Sequence, residues 1–133
     1  MKTRILILLA IAFTIANSKI ASAGYHEQQL VGVSKGTTGA GYAWGMMGDA
    51  YNASDSIQFI SCQVWWWAGG TFGAACSARD ATGNMAQCYS YDAGAIQTVT
   101  SMTSDSQIEF YFGTDGKCTG INVMDNSFST PKH

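Results

Sequence analysis

Residues 57–91 read IQFISCQVWWWAGGTFGAACSARDATGNMAQCYSY. Apolar, β-branched and aromatic residues fill Ile57 to Trp67, Thr71 to Arg79 and Met85 to Tyr91, with glycine-bearing stretches between them. Such side chains suit a pleated surface, and Gly or Asn supplies the left-handed backbone of a tight turn. The stretch is therefore expected to form three antiparallel strands. Asp80-Ala81-Thr82-Gly83-Asn84 suits a three-residue hairpin loop with Gly83 left-handed, and pairing about it sets Cys76 opposite Cys88. Ala68-Gly69-Gly70 serves as an equivalent loop, and pairing about that one sets Cys62 opposite Cys76.

Cys62, Cys76, Cys88 and Cys118 form an even set with no C-x-x-C and no nearby His. Thiolate metal sites need ligands a few residues apart, so two disulfides are expected and no metal. Cys76 cannot bond to both opposed partners. The more explicit Asp-Ala-Thr-Gly-Asn turn favours Cys76–Cys88 with Cys62–Cys118, and the other connectivities stay open.

The same reasoning extends outward. Ile108, Phe110 and Phe112 alternate with Gln107, Glu109 and Tyr111, and Asp115-Gly116 is a favoured two-residue turn. Pairing about it sets Phe110 against Ile121 and Ile108 against Val123. Cys118 then falls on the opposite face, with Tyr111, Gly120 and Asn122. Residues 92–102 suit a short helix, capped by Asp92, with Ile96, Val99 and Met102 on one face. The glycine-rich segment from Gly24 to Asp55 starts frayed, and Tyr42 to Tyr51 could make an edge strand. Ser54-Asp55-Ser56 and Ser104-Asp105-Ser106 each precede a strand, as polar clusters commonly do. The expected fold is mainly β: a small antiparallel sheet or sandwich of five or six strands with one short helix and two disulfides. An α+β arrangement is nearly as well supported.

Residues 1–23 are expected to be a signal peptide. Lys2 and Arg4 are followed by an apolar run from Ile5 to Ala16, and Ala21-Ser22-Ala23 offers small residues for cleavage. Residues 24–133 then form one domain, with no membrane insertion after cleavage, in the periplasm or outside the cell. That domain keeps four cations (Lys35, Arg79, Lys117, Lys132) against nine acids, a formal charge of −5. Nucleic acid and anionic lipid are recognised by clustered cations, so neither is an expected partner.

Few residues suit catalysis. His26 and His133 lie near the chain ends, a poor place for a general base, and four paired cysteines leave no thiol nucleophile. No nucleotide or cofactor fingerprint occurs, so no cofactor and no catalytic residue is assigned. Asp55, Asp105 and Glu109 could act as paired carboxylates if the fold brings them together. The aromatics are the sharper signal. Successive strand residues point to opposite faces, so Trp66 opposes Trp65 and Trp67, and at least one indole is expected to be exposed. Trp65, Trp66, Trp67, Tyr89, Tyr91 and Tyr111 are the candidate binding patch for a sugar ring or a protein surface.

The run from Cys76 to Gly83 with Cys88, Ser104-Asp105-Ser106, Asp115-Gly116-Lys117-Cys118-Thr119 and Pro131-Lys132 resembles small exported bacterial proteins with no assigned activity. The resemblance implies a periplasmic or extracellular location, gives no glycan meaning to Asn52-Ala53-Ser54, and carries over no site. The expected function is a non-enzymatic binding module with a protein or glycan partner, an inhibitor or immunity protein being one version. The alternatives are a self-associating surface protein, favoured by low charge and β-prone segments, and a carboxylate-based hydrolase. Oligomeric state is left open.

Overall fold

A computed structural model describes residues 27–125. The expected signal peptide, His26, His133 and Pro131-Lys132 lie outside the described residues. The chain runs β1 (Gly32–Lys35), β2 (Gly41–Met46), α1 (Met47–Tyr51), β3 (Phe59–Trp67), β4 (Thr71–Arg79), β5 (Met85–Ser90), α2 (Ala93–Thr100), β6 (Gln107–Phe112) and β7 (Cys118–Met124). The fold is mainly β, as expected, with seven strands in two antiparallel sheets among the described residues. One sheet has the order β1-β2-β6-β7 and the other β3-β4-β5. No described helix is long and apolar enough to cross a membrane.

The four hairpins among the described residues share one loop form. Gly36, Asp80 and Gly113 each donate an amide to the carbonyl four residues on, at 2.8, 3.1 and 3.0 Å. The glycine one position earlier donates back: Gly39 to Gly36, Gly83 to Asp80 and Gly116 to Gly113, as Gly70 does to Trp67. Those four glycines have φ between 74° and 89°, where a Cβ would be strained. Each loop is thus three residues long and ends in a left-handed glycine. The last hairpin was expected to turn on two residues, Asp115-Gly116. It turns on three, and a register shift at Tyr111/Phe112 absorbs the difference. Phe110 still faces Ile121 and Ile108 still faces Val123. Beyond the shift Cys118 sits opposite Phe112 and packs against the core, not on the outer face with Tyr111 and Gly120.

The disulfides are Cys62–Cys76 and Cys88–Cys118, which corrects the expected Cys76–Cys88 and Cys62–Cys118. Both cross-strand registers that were read do occur: Cys76 is opposed by Cys62 on β3 and by Cys88 on β5. Loop closure separates them. Asp80 and Asn84 form a hydrogen-bonded pair, and pairs two residues apart share that character, so Cys76 and Cys88 are also hydrogen-bonded and widely spaced. Trp67 and Thr71 close the other loop, so Cys62 and Cys76 fall between hydrogen-bonded pairs, where strands approach more closely. Their Cα atoms are 4.0 Å apart. Cys88 instead reaches the start of β7, with a Cα separation of 4.9 Å, and ties one sheet to the other. Beside that bridge the Tyr89 amide donates to the Gly116 carbonyl at 3.1 Å.

The inner faces share one core. The four-stranded sheet contributes the bulky Ile108, Phe110 and Phe112, while β4 and β5 contribute Ala74, Ala78 and Ala86. Helix α2 is capped by Asp92, whose carboxylate accepts from the amides of Gly94 and Ala95, and buries Val99 with Ile96 and Met102 packed alongside. Residues 42–51 depart from the expected edge strand. β2 is flanked by β1 and β6, and residues 47–51 turn helical, with Asp49 accepting the Gln29 amide at 2.6 Å.

Replacing Cys88 and Cys118 together by Ala lowers unfolding free energy by about 3–4 kcal/mol, and replacing Cys62 and Cys76 by about 3 kcal/mol, because the first bridge closes the longer loop. Denaturant unfolding of both double variants measures the difference. Burial alone would push the Asp80 carboxyl up, but hydrogen bonds from Thr82 and Asn84 outweigh it and hold the group below the usual range. A depressed folded-state pKa contributes stability above about pH 4, and that stability is lost as pH falls through the folded value. Asp80→Asn is therefore less stable than the parent protein by about 1–2 kcal/mol at neutral pH, a gap that narrows in urea melts as pH falls below about 4.

Candidate functional site

Alternation along β3 divides the indole triplet as expected. Trp65 and Trp67 lie on the outer face with Ser61 and Gln63, and Trp66 lies on the face shared with Ile60 and Cys62. The register continues across the sheet. Trp65 faces Gly73, which leads to Tyr91, and Gln63 faces Ala75, which faces Tyr89. Ser61, Ser77 and Gln87 make the next row, with the Gln87 amide 3.4 Å from the Ser77 hydroxyl.

Gly73 sets the shape of this surface. A Cβ there would fall inside the Trp65 ring, so the indole lies down over the β4 backbone. Tyr91 meets Trp65 edge-on, with ring centroids 6.2 Å apart and planes at 82°. Tyr89 meets Tyr91 at 5.9 Å and 69°. Tyr91 is 61% exposed and Trp67, at the hairpin end, 67%. The outer face of β3-β4-β5 is therefore an aromatic surface beside a field of amides and hydroxyls, with Arg79 at its far end.

The six candidate patch residues do not share one surface. Trp65, Trp67, Tyr89 and Tyr91 lie on this face. Trp66 packs on Phe72 at 6.4 Å on the opposite side of the hairpin. An open groove of about 970 Å³ runs from Tyr91, at the margin of the aromatic face, past Phe72 to the α2 residues Ile96, Gln97 and Thr100. Tyr111 belongs to the other sheet, where it stacks with Tyr42 at 5.8 Å, and Tyr42 stacks with Trp44 at 5.2 Å. Trp44 covers Gly32 as Trp65 covers Gly73, and Tyr111 lies against Gly120. Tyr42 and Trp44 were not read as patch residues, although their i, i+2 spacing between strand glycines carried that signal. A hydrogen bond to Glu109, with lesser effects of burial and of the Glu109 charge, raises the Tyr111 phenol above its ordinary value.

The three candidate carboxylates differ in their hydrogen-bond partners. Asp55 accepts from the Gln58 side chain and from the Gln58 and Ile57 amides, and these bonds, the Gln58 side chain's above all, hold it below the usual carboxylate range. Asp105 lines a second groove with Met47 and Tyr51 of α1 and with Gln58, the residue that donates to Asp55. Glu109 lies in the register row of Trp44 and accepts from Asn122 at 3.1 Å. Among the described residues no group of three or more His, Cys, Asp or Glu could hold a metal, and all four cysteines are bridged. No protein-family model, curated protein or solved structure matches this chain.

Gly73→Ala forces the Trp65 ring off the sheet. Its tryptophan emission shifts to longer wavelength, and its unfolding free energy falls by about 1–3 kcal/mol, the usual cost of overpacking.

Proposed function

We propose that this protein is a non-enzymatic, exported binding module that holds a neutral glycan on the outer face of β3-β4-β5. The observation that carries this reading is Trp65 lying over Gly73 with Tyr89 and Tyr91 beside it, next to Gln63, Ser61, Ser77 and Gln87. A sugar ring offers an apolar face of C–H groups and a rim of hydroxyls. Aromatic rings take the first, and side-chain amides and hydroxyls take the second. Arg79 is the one charged residue in those rows, and acids outnumber Lys and Arg over the chain by nine to seven, which favours an uncharged ligand over an acidic one.

Export is supported by two disulfides, which persist in oxidising compartments, and by the signal-like residues 1–23. The periplasm or extracellular space suits both. A binding role without chemistry is supported by the state of the reactive groups: the thiols are bridged and Asp55 is held by its own loop.

An array of neutral and N-acetylated oligosaccharides tests the reading. The purified protein is expected to retain a subset of them. Trp65→Ala and Tyr91→Ala should each weaken that binding by about tenfold, the scale of one lost aromatic contact. Tyr111→Ala, on the other sheet, should leave it unchanged. No retained glycan, together with capture of a protein partner that Trp65→Ala abolishes, would replace the glycan reading with an inhibitor-like one.

A further inference from the structure

The outer strands of the two sheets are not equally protected. β1 is four residues long and ends on Lys35, and β7 carries Gly120 and is irregular where the register shifts at Tyr111/Phe112, while α2 lies against both β7 and β3. β5 is capped where the Tyr89 amide donates to Gly116. β3 is different. Its closing pair Trp67/Thr71 assigns the main-chain groups of Ser61, Gln63 and Trp65 to β4, so those of Cys62, Val64 and Trp66 point the other way. Among the described residues nothing hydrogen-bonds to those six N–H and C=O groups. Val64 is 46% exposed and Trp66 58%.

Unpaired edges are ordinarily guarded by charge, proline, a bulge or brevity. β3 spans nine residues, FISCQVWWW, with no charge, no proline, no glycine and no break in its register with β4. We infer that β3 pairs antiparallel with β3 of a second copy, centred on Val64. Strand addition of this kind draws its affinity from main-chain hydrogen bonds. Centring on Val64 opposes Val64 to itself and Cys62 to Trp66, aligning all six free groups for about six bonds.

The side chains favour a second copy over a foreign strand. On the outer face the same register sets Trp65 across from Gln63 and Trp67 across from Ser61, so each indole meets a smaller polar neighbour. On the other face Val64 meets Val64. A homotypic contact in an acidic protein usually brings like charges together, and this strand carries none. The two three-stranded sheets become one of six, with both aromatic outer faces on the same side. The inference is independent of the glycan reading.

Sedimentation of the purified, disulfide-bonded protein over a concentration series tests it. The expected result is a dimer, with amide exchange at Val64 slowing as concentration rises. Val64→Lys opposes two ammonium groups at the symmetry axis and should weaken association by roughly tenfold or more, whereas Val64→Thr should not. Gln87→Lys, on β5, should leave the dimer intact and shows that added charge alone is not the cause. A monomer at every concentration overturns the inference and leaves the edge to an extended segment of another protein. A dimer that survives Val64→Lys with fast exchange at residue 64 overturns it equally.

Discussion

In three hairpins an amide at the head of the loop reaches the carbonyl four residues on, in the fourth Trp67 pairs with Thr71, and in all four a left-handed glycine turns its own amide back. That closure decides more than where the chain reverses. It makes the closing pair a hydrogen-bonded one, and alternation then assigns every residue of the two strands. For β3 this single parity determines which cysteine lies close enough to bridge, which indoles face outward, and which main-chain groups are left without a strand to bind. A loop one residue longer or shorter would reverse all three at once, because a one-residue slip exchanges the faces of a strand.

The aromatic surfaces follow from the same register. Trp65, Trp44 and Tyr111 each stand opposite a glycine, and each ring lies on the backbone that the glycine leaves bare. A glycine inside a strand weakens it through lost packing and extra chain entropy, and a cross-strand ring restores part of that packing. The arrangement also leaves part of each ring open to solvent without detaching it from the sheet. One rule of construction thus serves folding and leaves rings partly open to solvent on both sheets of the molecule.

Much of this was legible in the residues. The limits of β4, the Asp92 cap of α2 and the pairing of Phe110 with Ile121 follow from alternation, capping chemistry and turn residues. β1 was not, because Gly32–Lys35 is short and carries a single strongly apolar residue, Val33. Its loop, Gly36-Thr37-Thr38-Gly39-Ala40, repeats the glycine spacing of the other three and was the available signal. α1 has five residues and no side-chain cap, so its helical form depends on contacts such as that of Asp49 with Gln29. Both cysteine alignments were visible; what separates them is loop parity, which outranks how explicit a turn looks. The division of the aromatic patch required the pairing of strands far apart in sequence, which alternation within one strand does not supply.

Tryptic digestion without reduction tests the central claim directly. Cleavage after Lys35, Arg79 and Lys117 separates residues 36–79, which hold Cys62 and Cys76, from residues 80–117 with Cys88 and from the segment beginning at Cys118. If loop parity governs the bridges, mass spectrometry finds residues 36–79 free and internally bridged, and residues 80–117 joined to the segment from Cys118. Finding residues 36–79 covalently attached to both of the others would contradict the account.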